Sequence, residues 1–261
     1  MMAAEAQIAE GRGDAPLPAE PILRLRNIHK TFGSHEALRG VDLDIRPGEC
    51  LGLIGDNAAG KSTLSKVISG TYIPDEGEIE LEGRKVRFST PSEARDLSIE
   101  MVYQDLSLCD HVDVVGNLFL GRELKRGPFL DQKRMIAQAE KMLAALEIRI
   151  PRLTAKVEKL SGGQRQAIAI ARAASFEPKI LLMDEPTSAL AVAEVEAVLA
   201  LINRVKARGV AVVLVTHRMQ DLFRVCDRVA VMYEGTKVAE RNIGETDLQE
   251  LVDLIVGKGG H

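Results

Sequence analysis

A chain of 261 residues with 46% apolar side chains is long enough for one large domain and apolar enough to bury an ordinary core. Its formal charge of −4 argues against a general binder of nucleic acid or anionic membrane. Aromatics stop at 3% and tryptophan is absent, which disfavours a surface that stacks sugars or bases, and no apolar run approaches the roughly 18 residues of a membrane span.

Residues 1–20 carry acids early and no apolar centre, so they read as a disordered arm and not as a secretory signal. From Pro21 the alternating runs "ILRLRNI" and "ALRGVDLDI" predict paired strands with a turn at Phe32, Gly33 and Ser34. An apolar strand, "CLGLIG", then runs into "GDNAAGKST" (residues 55–63) and the helical "KSTLSKVISG". "GEIELEG" and "KVRFS" predict a second hairpin. Between about 91 and 160 the periodicity is mostly helical. Asp131 stands as an N-cap ahead of an apolar stripe at Met135, Ile136, Ala139, Leu143 and Leu146. After Ser161 a helix runs to Glu177-Pro178. Strand-like and helical segments then alternate: "KILLMD", a helix from about Val192 to Arg208, "VAVVLVTH", a short helix, and "RVAVMYEGTKVAE" turning at Gly235. Alternation of this kind predicts a mostly parallel sheet. No internal repeat is visible, and residues 258–261 read as a frayed tail. Cys50, Cys109 and Cys226 lie far apart without metal-ligand spacing, as reduced thiols do.

Three stretches carry chemistry. Gly55, Gly60, Lys61 and Ser62 fit the Walker A spacing, and the loop stands between a strand and a helix as that motif requires. Backbone N–H groups of Asp56, Asn57, Ala58, Ala59 and their neighbours through Thr63, with the positive helix end, would face phosphates. Lys61 adds a full charge beside them, worth about 4 kcal/mol near a protein surface. Ser62 offers its hydroxyl to Mg²⁺. A plain glycine turn is the alternative, and the strand–loop–helix context favours the phosphate site. Ala58 stands where many such loops have glycine; it removes no N–H donor, so tolerance is expected. The fold predicted is α/β: a P-loop NTPase core with a mostly parallel sheet, an antiparallel β portion and an inserted helical subdomain. It spans residues 21–257 as one folding unit, with the helical subdomain at about 91–160.

"ILLMDEP" places Asp184 and Glu185 at the carboxyl end of a strand, where open α/β sheets hold ligands. Asp184 suits Mg²⁺, and Glu185 suits polarisation of an attacking water. Two solvated acids would look the same in isolation. "LSGGQ" (Leu160, Ser161, Gly162, Gly163, Gln164) contains an S-x-x-Q capping box, and its two glycines leave the helix start free of their own side chains. That predicts a bare helix terminus attractive to anions.

These motifs, in this order, resemble the ATP-binding cassette superfamily over nearly all of residues 21–257. The resemblance implies binding and hydrolysis of ATP with Mg²⁺. It makes Lys61, Glu185 and His217, at the end of "VAVVLVTH", the catalytic set. It assigns Gln104 in "VYQD" to Mg²⁺ beside Ser62 and Asp184, and Phe32 to the adenine. It implies that Ser161 and Gly163 act in trans, capping ATP held by a second copy docked head to tail, so that ATP joins the pair and hydrolysis releases it. One position departs from the family: after "EPTSAL" the usual aspartate is Ala191.

"VYQDLSL", "NLFLGRE", "THRMQDLFRVCDRVAVMYEG" and "LVDLIVGK" resemble bacterial ATPases for monosaccharide import (ribose, xylose or fructose type). That branch implies a peripheral subunit at the cytoplasmic face of the inner membrane. It would work on a separate transmembrane permease and, indirectly, with an extracytoplasmic sugar-binding protein. Many members join two cassettes in one chain; a single cassette implies a homodimer. A soluble cassette in translation or DNA maintenance is disfavoured by the acidic charge and the absence of a charged linker or heptads; no nucleic-acid partner is expected. An exporter ATPase is nearer in chemistry, and the local wording stands against it. A non-catalytic partner is disfavoured by the presence of Lys61, Asp184 and Glu185.

Overall fold

The computed structural model describes residues 20–256. Of the expected arm at 1–20 only Glu20 falls among them, and the expected tail at 258–261 lies outside them.

Strands β1 (Leu23–Phe32) and β2 (His35–Ile45) form a hairpin in which Phe32 is opposite His35. Strand β3 (Cys50–Gly55) leaves for a second sheet and leads into helix α1 (Lys61–Ile68). The chain then returns through β4 (Glu76–Leu81) and β5 (Arg84–Val86), completing an antiparallel sheet in the order β2-β1-β4-β5. The two expected hairpins are therefore one sheet, because β1 pairs with β2 on one side and β4 on the other.

Next come helix α2 (Pro91–Asp96), strand β6 (Ile99–Val102), helix α3 (Val114–Leu118), the short strands β7 (Lys125–Arg126) and β8 (Phe129–Leu130), and helix α4 (Gln132–Ala145). The predicted cap of α4 is present: Asp131 Oδ1 accepts from Arg134 N at 3.1 Å. Its stripe turns Met135, Ala139, Leu143 and Leu146 into the core, with Ile136 half-buried at the margin. Strand β6 is not a helical element at all. It forms the edge of the main sheet.

The rest of the chain alternates: α5 (Gly162–Ala174), β9 (Ile180–Asp184), α6 (Val192–Ala207), β10 (Ala211–Val215), α7 (Met219–Val225), β11 (Arg228–Tyr233), β12 (Thr236–Asn242) and α8 (Leu248–Ile255). The main sheet runs β12-β11-β3-β10-β9-β6, parallel throughout except for the β11–β12 hairpin. Parallel strands covered on both faces read as continuous apolar runs, and β10 is buried at every residue. Successive residues feed opposite cores: Cys50, Leu181 and Val212 pack with α5 and α6, and Leu51, Leu182 and Val213 with α1 and the antiparallel sheet. Each such side chain contributes about 1.5–3 kcal/mol on burial.

The strand that starts the phosphate-binding motif is pinned at its base by charge. Arg228 is 2% exposed and lies 2.9 Å from Glu49, itself fully buried, and 2.6 Å from Glu240. Loss of either partner would strand a buried charge. Among the described residues no helix is long and apolar enough to cross a membrane.

Candidate functional site

Strands β3, β10 and β9 are neighbours, so their carboxyl ends bring three loops together. The loop after β3 is residues 55–63, Asp184 ends β9 with Glu185 just beyond it, and His217 follows β10. Lys61, Ser62, Thr63, Asp184, Glu185 and His217 line one open cleft of about 430 Å³, with Phe32 and Gln104 at its rim.

The loop is pressed against backbone on both sides. A Cβ at Gly55 would meet Met232 O at 2.1 Å, and one at Gly60 would meet Ala37 O at 2.7 Å. Both positions are therefore closed to any side chain. Gly60 caps α1 at φ +97° with no side-chain hydrogen bond, leaving the helix start to a ligand. Ala58 stands at φ +68°, in the left-handed region. Alanine thus holds the conformation glycine takes freely, at a cost of roughly 1–2 kcal/mol. Asp56 lies outside the cleft lining and accepts from Asn57 N at 2.7 Å, so that N–H is already committed.

Lys61 turns back onto its own loop, donating to Gly55 O at 2.9 Å and Asp56 O at 2.8 Å. Burial pulls its pKa below the usual lysine range against the pull of Glu185, Asp56 and Asp184. Asp184 moves up, through burial and then the neighbouring Glu185 carboxylate, with Lys66, a Ser62 hydrogen bond and Lys61 opposing. Two acids and one lysine in a half-buried cleft lack sufficient countercharge, and a hard divalent cation would supply it. The donor set of Ser62, Gln104 and Asp184 is all oxygen, which fits Mg²⁺. Among the described residues no cluster of three His, Cys, Asp or Glu side chains could hold a metal by itself.

Glu185 is at φ +52°, a strained position for a side chain of its type. Its Oε2 lies 2.8 Å from His217 Nδ1, a contact at ion-pair distance. The approach is off the axis of a hydrogen bond, and this buried oxygen has no hydrogen-bond donor among the described residues. The carboxylate as a whole lines the cleft, and a carboxylate there can polarise a water.

A contact between residues far apart in sequence holds these two loops in register. Thr187 Oγ1 donates to the buried Asp221 at 2.6 Å, and Arg218 Nε lies 3.3 Å from the same carboxylate oxygen. This bridge ties the turn after Glu185 to the turn after His217. The only available signal was an acid four residues beyond a histidine.

"LSGGQ" does not join the cleft. Ser161, Gly163 and Gln164 line a separate groove with Ala193 and Glu194, and Leu160 packs half-buried against the core. The expected capping box forms: Ser161 Oγ accepts from Gln164 N at 3.2 Å and Gln164 Oε1 from Ser161 N at 3.1 Å. The expectation of a bare terminus fails, however. Glu194 of α6 reaches across, taking the Gly163 N–H on Oε1 at 3.0 Å and the Ala191 N–H on Oε2 at 3.2 Å. Gly163 permits this approach, since a Cβ there would lie 2.8 Å from Glu194 Cβ and Cγ. The Gly163 N–H first, then the Ser161 hydroxyl and the Ala191 N–H, hold the Glu194 carboxyl below its usual range. At Ala191, where the family's aspartate is missing, α6 has no side-chain cap of its own.

The profile of the ABC transporter family matches residues 38–188. The xylose/arabinose import ATP-binding protein of Sulfolobus acidocaldarius is 45% identical over 90% of this chain and 93% of its own length. The fructose import ATP-binding protein of Rhizobium meliloti is 43% identical, over 91% and 95%. A ribose import ATP-binding protein of Burkholderia cenocepacia is 41% identical over 92% of this chain, which spans only 47% of that longer relative. Among solved structures, a nucleotide-free ATP-binding cassette from an ABC transporter superposes with TM-score 0.78 at 28% identity over 91% of this chain and 96% of its own. A dimeric cassette in a post-hydrolysis state with ADP and Pi gives TM-score 0.72 at 28% identity over 85% and 98%.

Proposed function

This chain belongs to the ABC transporter family, and from that premise we propose that it is the ATP-binding and hydrolysing subunit of a monosaccharide importer. One observation carries the chemistry: Lys61, Ser62, Asp184, Glu185 and His217 converge in a single cleft while the "LSGGQ" helix opens elsewhere. Such a cleft binds a triphosphate but leaves its outer side uncovered. The sugar-import relatives support the cargo class, and two of them are about as long as this chain.

The mechanism follows from the residues. Lys61 and those N–H groups of the loop that are free of internal partners hold the phosphates, the Asn57 N–H being held by Asp56, and the start of α1 faces them. Lys61 must leave its two loop carbonyls to do so, exchanging neutral acceptors for charged ones. Ser62, Gln104 and Asp184 would hold Mg²⁺, which when bound neutralises charge on the phosphates. Glu185 orients a water and accepts its proton as the water oxygen bonds to the γ-phosphorus and the bond to the ADP oxygen breaks. His217, 2.8 Å from Glu185, keeps that carboxylate in place. A second copy docks head to tail, its Ser161 and Gly163 covering the γ-phosphate; the dimeric state of the similar cassette with ADP and Pi supports the pairing of two copies. The transport path belongs to a separate permease, fed by an extracytoplasmic sugar-binding protein, with this subunit at the inner face of the membrane.

The test is purification of tagged Glu185→Gln protein from membranes with ATP present. A multi-span permease is expected to accompany it. Recovery of soluble partners or ribosomes alone would sink the importer reading.

A further inference from the structure

Two N–H groups converge on Glu194, those of Gly163 and Ala191. One of them, that of Gly163, is together with Ser161 a group that the head-to-tail reading gives to a partner's γ-phosphate. A backbone N–H has one hydrogen, so the carboxylate and a phosphate oxygen cannot both hold Gly163 at full strength. Two anions also repel at contact distance. Resting on the head-to-tail reading, we propose that Glu194 is an internal stand-in for the partner's γ-phosphate, which must displace it before the dimer can close. Glu194 is thus a positioning residue for this reaction. It holds the "LSGGQ" helix in binding geometry while no nucleotide faces it, and it sets the ATP concentration at which two copies join.

The same side chain bears on the missing aspartate at Ala191. Both oxygens of one carboxylate are used, one on the "LSGGQ" helix and one on the first residue of the α6 cap. Displacement from Gly163 therefore loosens Ala191 in the same movement. Arrival of phosphate at one half-site is felt at the loop that precedes α6.

The test compares Glu185→Gln with the double variants Glu185→Gln/Glu194→Gln and Glu185→Gln/Glu194→Ala, using the full chain. Dimer fraction is followed by size-exclusion chromatography at rising ATP and fixed Mg²⁺. ATP affinity of the monomer is read separately with a fluorescent ATP analogue. Glutamine keeps the shape and removes the charge, so the ATP needed for half-dimerisation should fall about tenfold. Alanine removes the competitor altogether and should lower it at least as far. Monomer affinity should not move in either. Equal thresholds in all three proteins overturn the proposal, and so does a raised threshold in the alanine variant, which would make Glu194 a structural clasp. A parallel change in monomer affinity also overturns it, by assigning the effect to the Walker A cleft. Absence of any ATP-dependent dimer in Glu185→Gln alone instead overturns the head-to-tail reading beneath it.

Discussion

Helix α1 begins at Gly60 with no side chain closing its first turn, whereas α5 begins under Ser161, Gln164 and Glu194 together. Both starts carry glycine, Gly60 as the cap of α1 and Gly162 and Gly163 in the first turn of α5, and both present backbone N–H groups of the kind that bind anions. The contrast lies in what supplies the acceptor. At α1 the surrounding backbone, Met232 O and Ala37 O, excludes any side chain from Gly55 and Gly60, and a ligand must complete the turn. At α5 the chain completes the turn itself, with a carboxylate delivered from α6. On the proposed head-to-tail reading, the half-site for the chain's own nucleotide is left open and the one for another molecule's nucleotide is kept filled.

The largest expected effect tests the open half. Lys61→Ala removes a charge worth about 4 kcal/mol to a phosphate at close range, so ATP affinity should fall by a hundredfold or more. Isothermal titration measures this, and a fall below tenfold would mean that the helix start binds without the lysine. Gly163→Ala addresses the filled half. Its methyl would stand 2.8 Å from the Glu194 side chain, so turnover should drop about a hundredfold while monomer ATP affinity holds. If affinity falls as well, the two halves are not separable as described. Ala58→Gly gives the smallest shift. Relief of the left-handed strain should stabilise the nucleotide-free protein by about 1 kcal/mol, seen as a rise of a few degrees in melting temperature. An unchanged melting temperature would mean that the loop relaxes around the alanine.

The open half was legible in the sequence and the filled half only in part. Walker A residues are contiguous, and a strand, a loop and a helix suffice to place them. Asp184, Glu185 and His217 end apolar runs whose parallel pairing is a general rule of alternating chains. Ser161 and Gln164 lie within one turn, so their reciprocal cap could be read off. Glu194 could not, because its contact with Gly163 depends on how α5 and α6 pack across 31 positions. The bridge from Asp221 to Thr187 escaped for the same reason, 34 positions apart. Strand β6 was missed because four residues, "IEMV", show neither alternation nor a long apolar run; its strand state comes from pairing with β9. Helix α8, absent from the expectations above, does carry a local mark, Asp247 as a cap ahead of Leu251, Leu254 and Ile255 at helical spacing. Contacts made by tertiary packing leave no local mark.

The ring of Phe32 carries one more consequence. It stands edge-on to Tyr72, centroids 5.0 Å apart, with Lys30 Nζ 5.6 Å from its centre, and it is 41% exposed where it borders the cleft. A ring steadied in this way offers flat area and no hydrogen-bonding edge. Every purine has a face that such an area fits. Recognition at this end of the cleft should therefore be by shape, leaving selection to the phosphates, and the protein should turn over GTP within about tenfold of ATP. A much steeper preference for adenine would mean that some other group reads the base. A cell that holds both nucleotides would then be driving this subunit with whichever triphosphate is abundant, and its coupling would report energy charge and not adenine itself.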